Sequence, residues 1–477
     1  MIKNWKKYAC FFLCGMLLIG SLFMAPEQVQ AKAKWPSGPS VASPNAIVME
    51  ASTGTVLYEK NADEKRYPAS ITKIMTTLLA IENSSMDEVV TFSADAVYKN
   101  EGDTSHIWRD VDEKMTMEQC LYAVMLESAN ECSYAVAEHV AGGVYSDFIK
   151  MMNARAKELG CTNTHFNNCN GLPDEKHVTT CRDMALISRA AIQNSEFRKI
   201  AGSVRYTIPK TNKHKEETPL NNHHQMISVA RTSKNLYEYC IGGKTGWTSD
   251  AGNTLVTFAE KDGMTLICVV MKAQQGEQYT DTRALFDYCF EHFKLFNVSK
   301  NESRYETGIT NQVSLFTSGE AFVELDKEAQ IVLPASASFE DTTTEVSQEG
   351  VTDQILGTLV YSYDGRQVGT CQIRTTGVTV EPYQFGESTI SKSSEKKNVI
   401  KTTKKEKKPE KSTEGGRKKI VIAIAAVAGA IVILLVIWYL YNNVYRIWRR
   451  RRRHDKRYKT IKNNRKWNRR GGRRSRR

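Results

Sequence analysis

Tyr67-Pro68-Ala69-Ser70-Ile71-Thr72-Lys73-Ile74-Met75-Thr76-Thr77-Leu78-Leu79 is the stretch on which the reading of this chain turns. A proline fixes its own φ and is tolerated at the first turn of a helix. Beyond it, Ile71, Ile74, Met75, Leu78 and Leu79 recur at the spacing of one apolar helix face. At a helix start, positions three apart lie on one side, so the Ser70 hydroxyl and the Lys73 amine can touch. Serine is a poor nucleophile until a base takes its proton, and a lysine of lowered pKa can be that base. The helix N-terminus adds positive potential where an anion would develop. Taken singly the pattern says little: Ser393 with Lys396 and Ser394 with Lys397 repeat it in a polar stretch.

Upstream, residues 45–50 and 56–60 read as two strands joined by a Ser52-Thr53-Gly54 turn. Downstream, Thr116 and Gln119 make a capping box ahead of Leu121, Val124, Met125 and Leu126. A helix is expected over 131–142 with Gly142-Gly143 as its stop, and another over 183–192. Residues 254–260 and 264–272 flank the turn Lys261-Asp262-Gly263 as a hairpin, and an amphipathic helix follows over 281–293. Strands at both ends around a helical middle predict an α/β (α+β) domain. It would have one mixed sheet, built from both ends of the domain, and an inserted helical part.

Two further triplets fall in this frame. Ser128-Ala129-Asn130 sits between two expected helices, where Ser128 could relay a proton to a leaving amine and Asn130 could hold a substrate amide. Taken alone, the triplet equally suits an ordinary helix cap. Lys244-Thr245-Gly246 follows Gly242-Gly243 and precedes the hairpin. On a strand edge, the Lys244 ammonium and Thr245 hydroxyl would face a bound carboxylate, and Gly246 would let a substrate backbone approach. A solvated lysine at a turn is the plainer alternative.

The rest of the 477 residues places the domain. Lys3, Lys6 and Lys7, an apolar run over 8–25 and the small residues of Val29-Gln30-Ala31 and Ala31-Lys32-Ala33 read as a cleaved export signal, 1–31. An uncleaved anchor is the alternative. Residues 37–297 form the catalytic domain. Over 301–385, short alternating segments such as 356–363 and 367–373 predict a small all-β domain. Residues 386–419 are rich in Ser, Lys, Thr and Glu and read as a flexible linker. Residues 420–441 are apolar and uncharged, long enough at ~1.5 Å per residue to cross a ~30 Å hydrocarbon core. Trp438, Tyr439 and Tyr441 would sit at the interface, and the Arg-rich tail 442–477 would lie inside. The expectation is a single-pass protein of the cell membrane, held in membrane lipid by this transmembrane helix, with its catalytic domain on the wall-facing side. The net charge of +13 gathers in the last quarter and calls for no nucleic-acid partner. Nine of the eleven cysteines lie beyond the signal, an odd number without zinc spacing, and read as free buried thiols.

Ser-x-x-Lys, Ser-x-Asn and Lys-Thr-Gly in this order are the signature of the penicillin-binding and β-lactamase class. Over residues 44–296 the chain resembles a low-molecular-weight penicillin-binding protein, a D-alanyl-D-alanine carboxypeptidase of serine peptidase family S11. The likeness extends to Glu50 through Tyr58, to Thr164-His165-Phe166-Asn167, to Asn170-Gly171-Leu172-Pro173 and to Trp247-Thr248 with Ala251-Gly252. It implies a β-lactamase/transpeptidase-like domain, with an antiparallel sheet flanked by helices, a helical subdomain and a small β domain after it. It implies acylation of Ser70 by the penultimate D-alanine of a peptidoglycan pentapeptide, with Lys73 as base and β-lactams as inhibitors. Ser128 and Asn130 would assist proton transfer and positioning. Lys244 and Thr245, beside Gly246, would engage the terminal carboxylate, and the Ser70 and Trp247 N–H groups would form the oxyanion hole. Asp183 would order a loop. No metal or other cofactor is implied.

Two departures stand out. Where relatives carry an arginine after the last central strand, this chain reads Gln274-Gln275-Gly276-Glu277-Gln278-Tyr279, with Arg283 nearby in the following helix. The anchor also looks fully spanning, where relatives often end in an interfacial helix. Rival readings are a β-lactamase, for which Glu175 would be the nearest deacylation base, a D,D-endopeptidase, and a β-lactam sensor coupled through the membrane.

Overall fold

The computed structural model describes residues 34–99, 104–303 and 323–375. All belong to one compact unit, Met1–Tyr383. The export signal, the linker, the apolar segment 420–441 and the basic tail lie outside the described residues. Among the described residues no helix is long and apolar enough to cross a membrane.

A five-stranded sheet organises the larger part. Its order is Val56–Lys60, Asn45–Glu50, Met264–Ala273, Gly252–Lys261, Cys240–Thr248, and every pairing is antiparallel. Both ends of the domain do supply it; the mixed sheet suggested by the element pattern is corrected to the antiparallel sheet that the resemblance implied. Hairpins link its first pair and its last three strands, and the long helical excursion returns to an edge, so no parallel crossover is needed. Side chains alternate between two cores. Ile47, Met49, Val256, Phe258, Ile267 and Val269 pack with the helical part, whereas Ala46, Val48, Leu255, Leu266 and Val270 pack with Leu285 and Phe286 of the helix Glu277–His292. Burial on both faces explains why Asn45–Glu50 is buried at every position. Each fully buried Phe or Leu here contributes about 1.5–3 kcal/mol.

The inserted helices include Lys73–Asn83, Met117–Tyr122, Asn130–Val140 and Tyr145–Glu158. The Thr116/Gln119 capping box forms in full. The helix after Pro68 does not begin as α-helix: Ala69–Thr72 is a 3-10 turn, and the α-helix starts at Lys73. The last helix starts four residues earlier than expected, at Glu277, and Phe293 has already left it for a strand. That strand, Phe293–Asn297, pairs with Gln330–Pro334 and so opens a second, six-stranded antiparallel sheet. The hairpin Ile355–Tyr363 and Arg366–Thr375 forms the middle of that sheet. The nine cysteines of the described residues are all free, eight of them buried.

Candidate active site

Two pieces of backbone hold the serine. Ala69 takes φ +51°, a left-handed conformation that costs a non-glycine residue about 1 kcal/mol or more. Thr254 Oγ1 donates to the Pro68 carbonyl at 2.8 Å and ties this turn to the central sheet. Two glycines make the turn accessible: a Cβ on Gly171 would lie 1.9 Å from the Ala69 carbonyl, and one on Gly246 would lie 2.8 Å from the Ser70 nitrogen. Neither position can carry a side chain without moving Ser70.

Lys73 is fully buried beneath it. Its Nζ lies 3.1 Å from Ser70 Oγ, 2.7 Å from Asn130 Oδ1 and 2.6 Å from the Asn170 carbonyl. Asn130 is oriented by its own amide, whose Nδ2 donates to Thr104 Oγ1 at 2.9 Å. Burial lowers the Lys73 pKa to about 7, only partly offset by the nearby Cys169, Glu131 and Cys132. A neutral amine has two hydrogens and one lone pair. The two carbonyl acceptors take the hydrogens, and the lone pair is left facing Ser70 Oγ. Glu131, in the next turn, accepts from the Ile107 nitrogen at 2.6 Å, and burial raises its pKa.

Ser128 arrives by an unusual route. A π-helical turn, Ala123–Glu127, ends at Ser128 in a left-handed conformation, φ +63°, before the helix Asn130–Val140 begins. Such turns often mark functional positions. Ser128 Oγ is buried, faces the cleft and has no hydrogen-bond partner among the described residues. The edge strand Cys240–Thr248 completes the wall with Thr245, Gly246 and Trp247, the last 66% exposed. Lys244 is 1% exposed; its Nζ donates to the Thr245 carbonyl at 2.9 Å, and burial sets its pKa well below the ordinary range, with Lys73 and Arg231 adding to the effect.

The cleft above these groups encloses about 620 Å³. Ser70, Ser128, Thr245, Gly246 and Trp247 line it, joined by Ser105, His223, Arg231, Gln275, Gln278 and Tyr279. Lys73 and Asn130 reach it from below through Ser70, and Lys244 lies behind Thr245. Asn170 and Glu131 lie in or beside stretches that carry the family likeness, but no role was read for the Asn170 carbonyl or the Glu131 carboxyl, and Arg231 carried no sequence signal. Asp183 binds the Thr162 and Asn163 nitrogens and the Thr164 hydroxyl at 3.3, 2.8 and 2.7 Å, well away from Ser70's partners. Glu175 lines a separate pocket of about 180 Å³ with Ala69, Leu172 and Asp250.

A serine held against a buried amine of lowered pKa, at the edge of an antiparallel sheet, defines a serine acyl-transfer enzyme. Residues 31–275 match the D-alanyl-D-alanine carboxypeptidase family, peptidase S11, and the chain belongs to that family of serine hydrolases. It is 27% identical over 407 residues to the D-alanyl-D-alanine carboxypeptidase DacA of Haemophilus influenzae, covering 81% of this chain and 96% of that protein. Against DacF of Bacillus subtilis the identity is 30% over 376 residues, 74% of this chain and 90% of that one. The fold is similar to that of penicillin binding protein 5 from Haemophilus influenzae, with a TM-score of 0.56 at 24% identity over 71% of this chain and 98% of that one.

Proposed function

We infer that this serine-type D-Ala-D-Ala carboxypeptidase removes the terminal D-alanine from peptidoglycan stem pentapeptides through an acyl-enzyme on Ser70. The observation that carries the reading is the fully buried Lys73 amine, 3.1 Å from Ser70 Oγ, with burial lowering its pKa to about 7. Neutral Lys73 accepts the hydroxyl proton as Ser70 Oγ bonds to the carbonyl carbon of the penultimate D-alanine. The Ser70 and Trp247 N–H groups hold the oxyanion. The C–N bond then breaks, and the leaving amine takes a proton through Ser128, whose hydroxyl has no partner among the described residues. Asn130 fixes Lys73, its own amide held by Thr104, and Gly246 lets the strand pack closely against the Ser70 turn. Thr245, with Lys244 behind it, receives the terminal carboxylate. Water hydrolyses the ester and regenerates Ser70. β-Lactams acylate the same hydroxyl.

We propose that the export signal and residues 420–441 act together, leaving this domain on the outer face of the cell membrane in a single-pass arrangement. Support comes from the cleavage sites, the uncharged length and the arginine block that follows. Protease on intact protoplasts should digest the catalytic unit and spare a tag after Arg477; loss of the tag overturns the spanning topology. For the reaction, the purified protein should release D-alanine from a D-Ala-D-Ala pentapeptide and form a mass adduct with penicillin on the peptide containing Ser70. Release of an internal fragment in place of D-alanine would make it an endopeptidase.

A further inference from the structure

A substrate that ends in a free carboxylate brings a negative charge into the cleft, and something must meet it. Lys244 is poorly placed to do so as a cation. It is fully buried, its Nζ is engaged with the Thr245 carbonyl, and Lys73 and Arg231 both oppose its protonation. His223, on the cleft wall, is already bonded to Glu127 at 2.7 Å. After the last central strand the wall offers Gln275 and Gln278, which are neutral. Arg283 is turned away: its Nη2 donates to the carbonyls of Asn235 and Leu236 at 3.2 and 2.6 Å.

We propose that Arg231, at the tip of the loop between Asn221 and Cys240, is the cation that binds the terminal carboxylate of the substrate and so selects for a free C-terminus. Arg231 lines the same cleft as Ser70 and Thr245. Among the described residues it donates no hydrogen bond and forms no ion pair, and its side chain is exposed. Its charge is felt at Lys244, Glu127 and Tyr279, and Tyr279 lines the cleft with it. The loop that carries it is braced. The Tyr237 nitrogen donates to the Met226 carbonyl at 3.0 Å, Asn235 Nδ2 donates to Gln225 Oε1 at 2.6 Å, and Arg283 bonds the carbonyls of Asn235 and Leu236 and stacks on Tyr237. A braced loop holds the guanidinium near one place without giving it an internal partner. A guanidinium stays charged across the working pH range and can bind a carboxylate through two parallel N–H donors, which a lysine cannot do. Thr245 Oγ1 would supply a third donor from the strand side.

This inference rests on the carboxypeptidase reading, so the test separates the two. A D-Ala-D-Ala-terminated peptide and its C-terminal amide are compared on wild type, Arg231→Gln and Arg231→Lys. Wild type should prefer the acid strongly; equal rates would defeat the carboxypeptidase reading itself. If the acid is preferred, Arg231→Gln should raise KM for it by roughly 10- to 100-fold with a smaller change in kcat. The slow turnover of the amide should change far less, and Arg231→Lys should recover part of the loss. Thermal melting of the three proteins should coincide, since the side chain is exposed. If Arg231→Gln keeps the full preference for the acid, or loses acid and amide turnover equally, Arg231 does not bind the carboxylate and the inference fails.

Discussion

In the six-stranded sheet, Tyr361 is fully buried and its hydroxyl donates to the buried Glu302 at 2.8 Å. Around it Ile331, Leu333, Phe339, Leu359 and Val368 close an apolar core. Thr344 Oγ1 is the orphan there among the described residues, a neutral hydroxyl on an outer strand. The cleft is built in the opposite manner. Lys73 and Lys244 are both fully buried, and among the described residues neither forms an ion pair. Among the described residues Ser128 Oγ and Glu131 Oε2 lack partners, and Ala69 and Ser128 hold left-handed conformations. Each of these is costly, and the surrounding helices must hold them in place. The sheet is consistent with its own stability at every level; the cleft breaks local rules where chemistry needs an unsatisfied group.

The largest effects should therefore come from the cleft. Ser70→Ala should abolish covalent penicillin binding and cut D-alanine release by about 10³-fold or more, because among the described residues only the Ser70 hydroxyl bonds to the Lys73 amine. Intact-mass measurement after penicillin treatment checks it. Lys73→Ala should slow acylation by about 10²- to 10⁴-fold, the range for loss of a general base. A milder loss would mean that another group can take the proton, and the contrast with the sheet would soften.

The pH response sharpens the same contrast. With its pKa lowered to about 7, Lys73 is mostly neutral above that value and increasingly protonated below it. Acylation should then level off above about pH 7 and fall roughly tenfold per unit below it. Stability should follow the opposite side of the same titration. The unfolded lysine keeps its proton to near the model value of 10.5, so between about 7 and 10.5 the unfolded chain binds more protons. The penalty from burying Lys73 is therefore full below about pH 7 and fades as the pH rises through this window. Stopped-flow labelling and denaturant titration across the range read the two limbs. His177 and His224, whose pKa values burial lowers to about 3 and about 4, stay neutral throughout.

Much of this was legible from residue patterns, and the exceptions have physical causes. The strands Asn45–Glu50 and Val56–Lys60 formed at the expected positions because short β segments between turn residues leave little choice. Ser70, Lys73, Ser128 and Asn130 were visible because side-chain chemistry needs particular residue types. The Asn170 carbonyl was not, since a backbone acceptor leaves no signature beyond the glycine after it. The residue pattern alone suggested a mixed sheet because periodicity carries no strand direction, whereas the family resemblance implied the antiparallel sheet that is found. Arg231 sits in a loop with no motif, and only the folded chain brings it to Ser70. The start of the helix after Pro68 was misplaced by one turn because tertiary contacts, the Thr254 bond among them, wind Ala69–Thr72 more tightly.

The smallest expected effect on catalysis lies at Tyr361. Replacing it by phenylalanine keeps the ring against Phe339, 5.5 Å between centroids, and keeps nearly all the buried area. It removes one donor from Glu302, inside a core where water cannot easily take its place. Loss of a bond to a buried carboxyl costs about 1–3 kcal/mol. The denaturation midpoint of Tyr361→Phe should therefore fall, while the rate of penicillin acylation should stay within about twofold of wild type, since neither residue lines the cleft. The two sheets are joined through Phe293–Asn297, which runs on directly from the helix Glu277–His292 whose first turn carries Gln278 and Tyr279 into the cleft. An acylation rate that falls in step with stability would mean that strain in the smaller sheet travels along this helix, and the separation between a region built for stability and one built for chemistry would not hold.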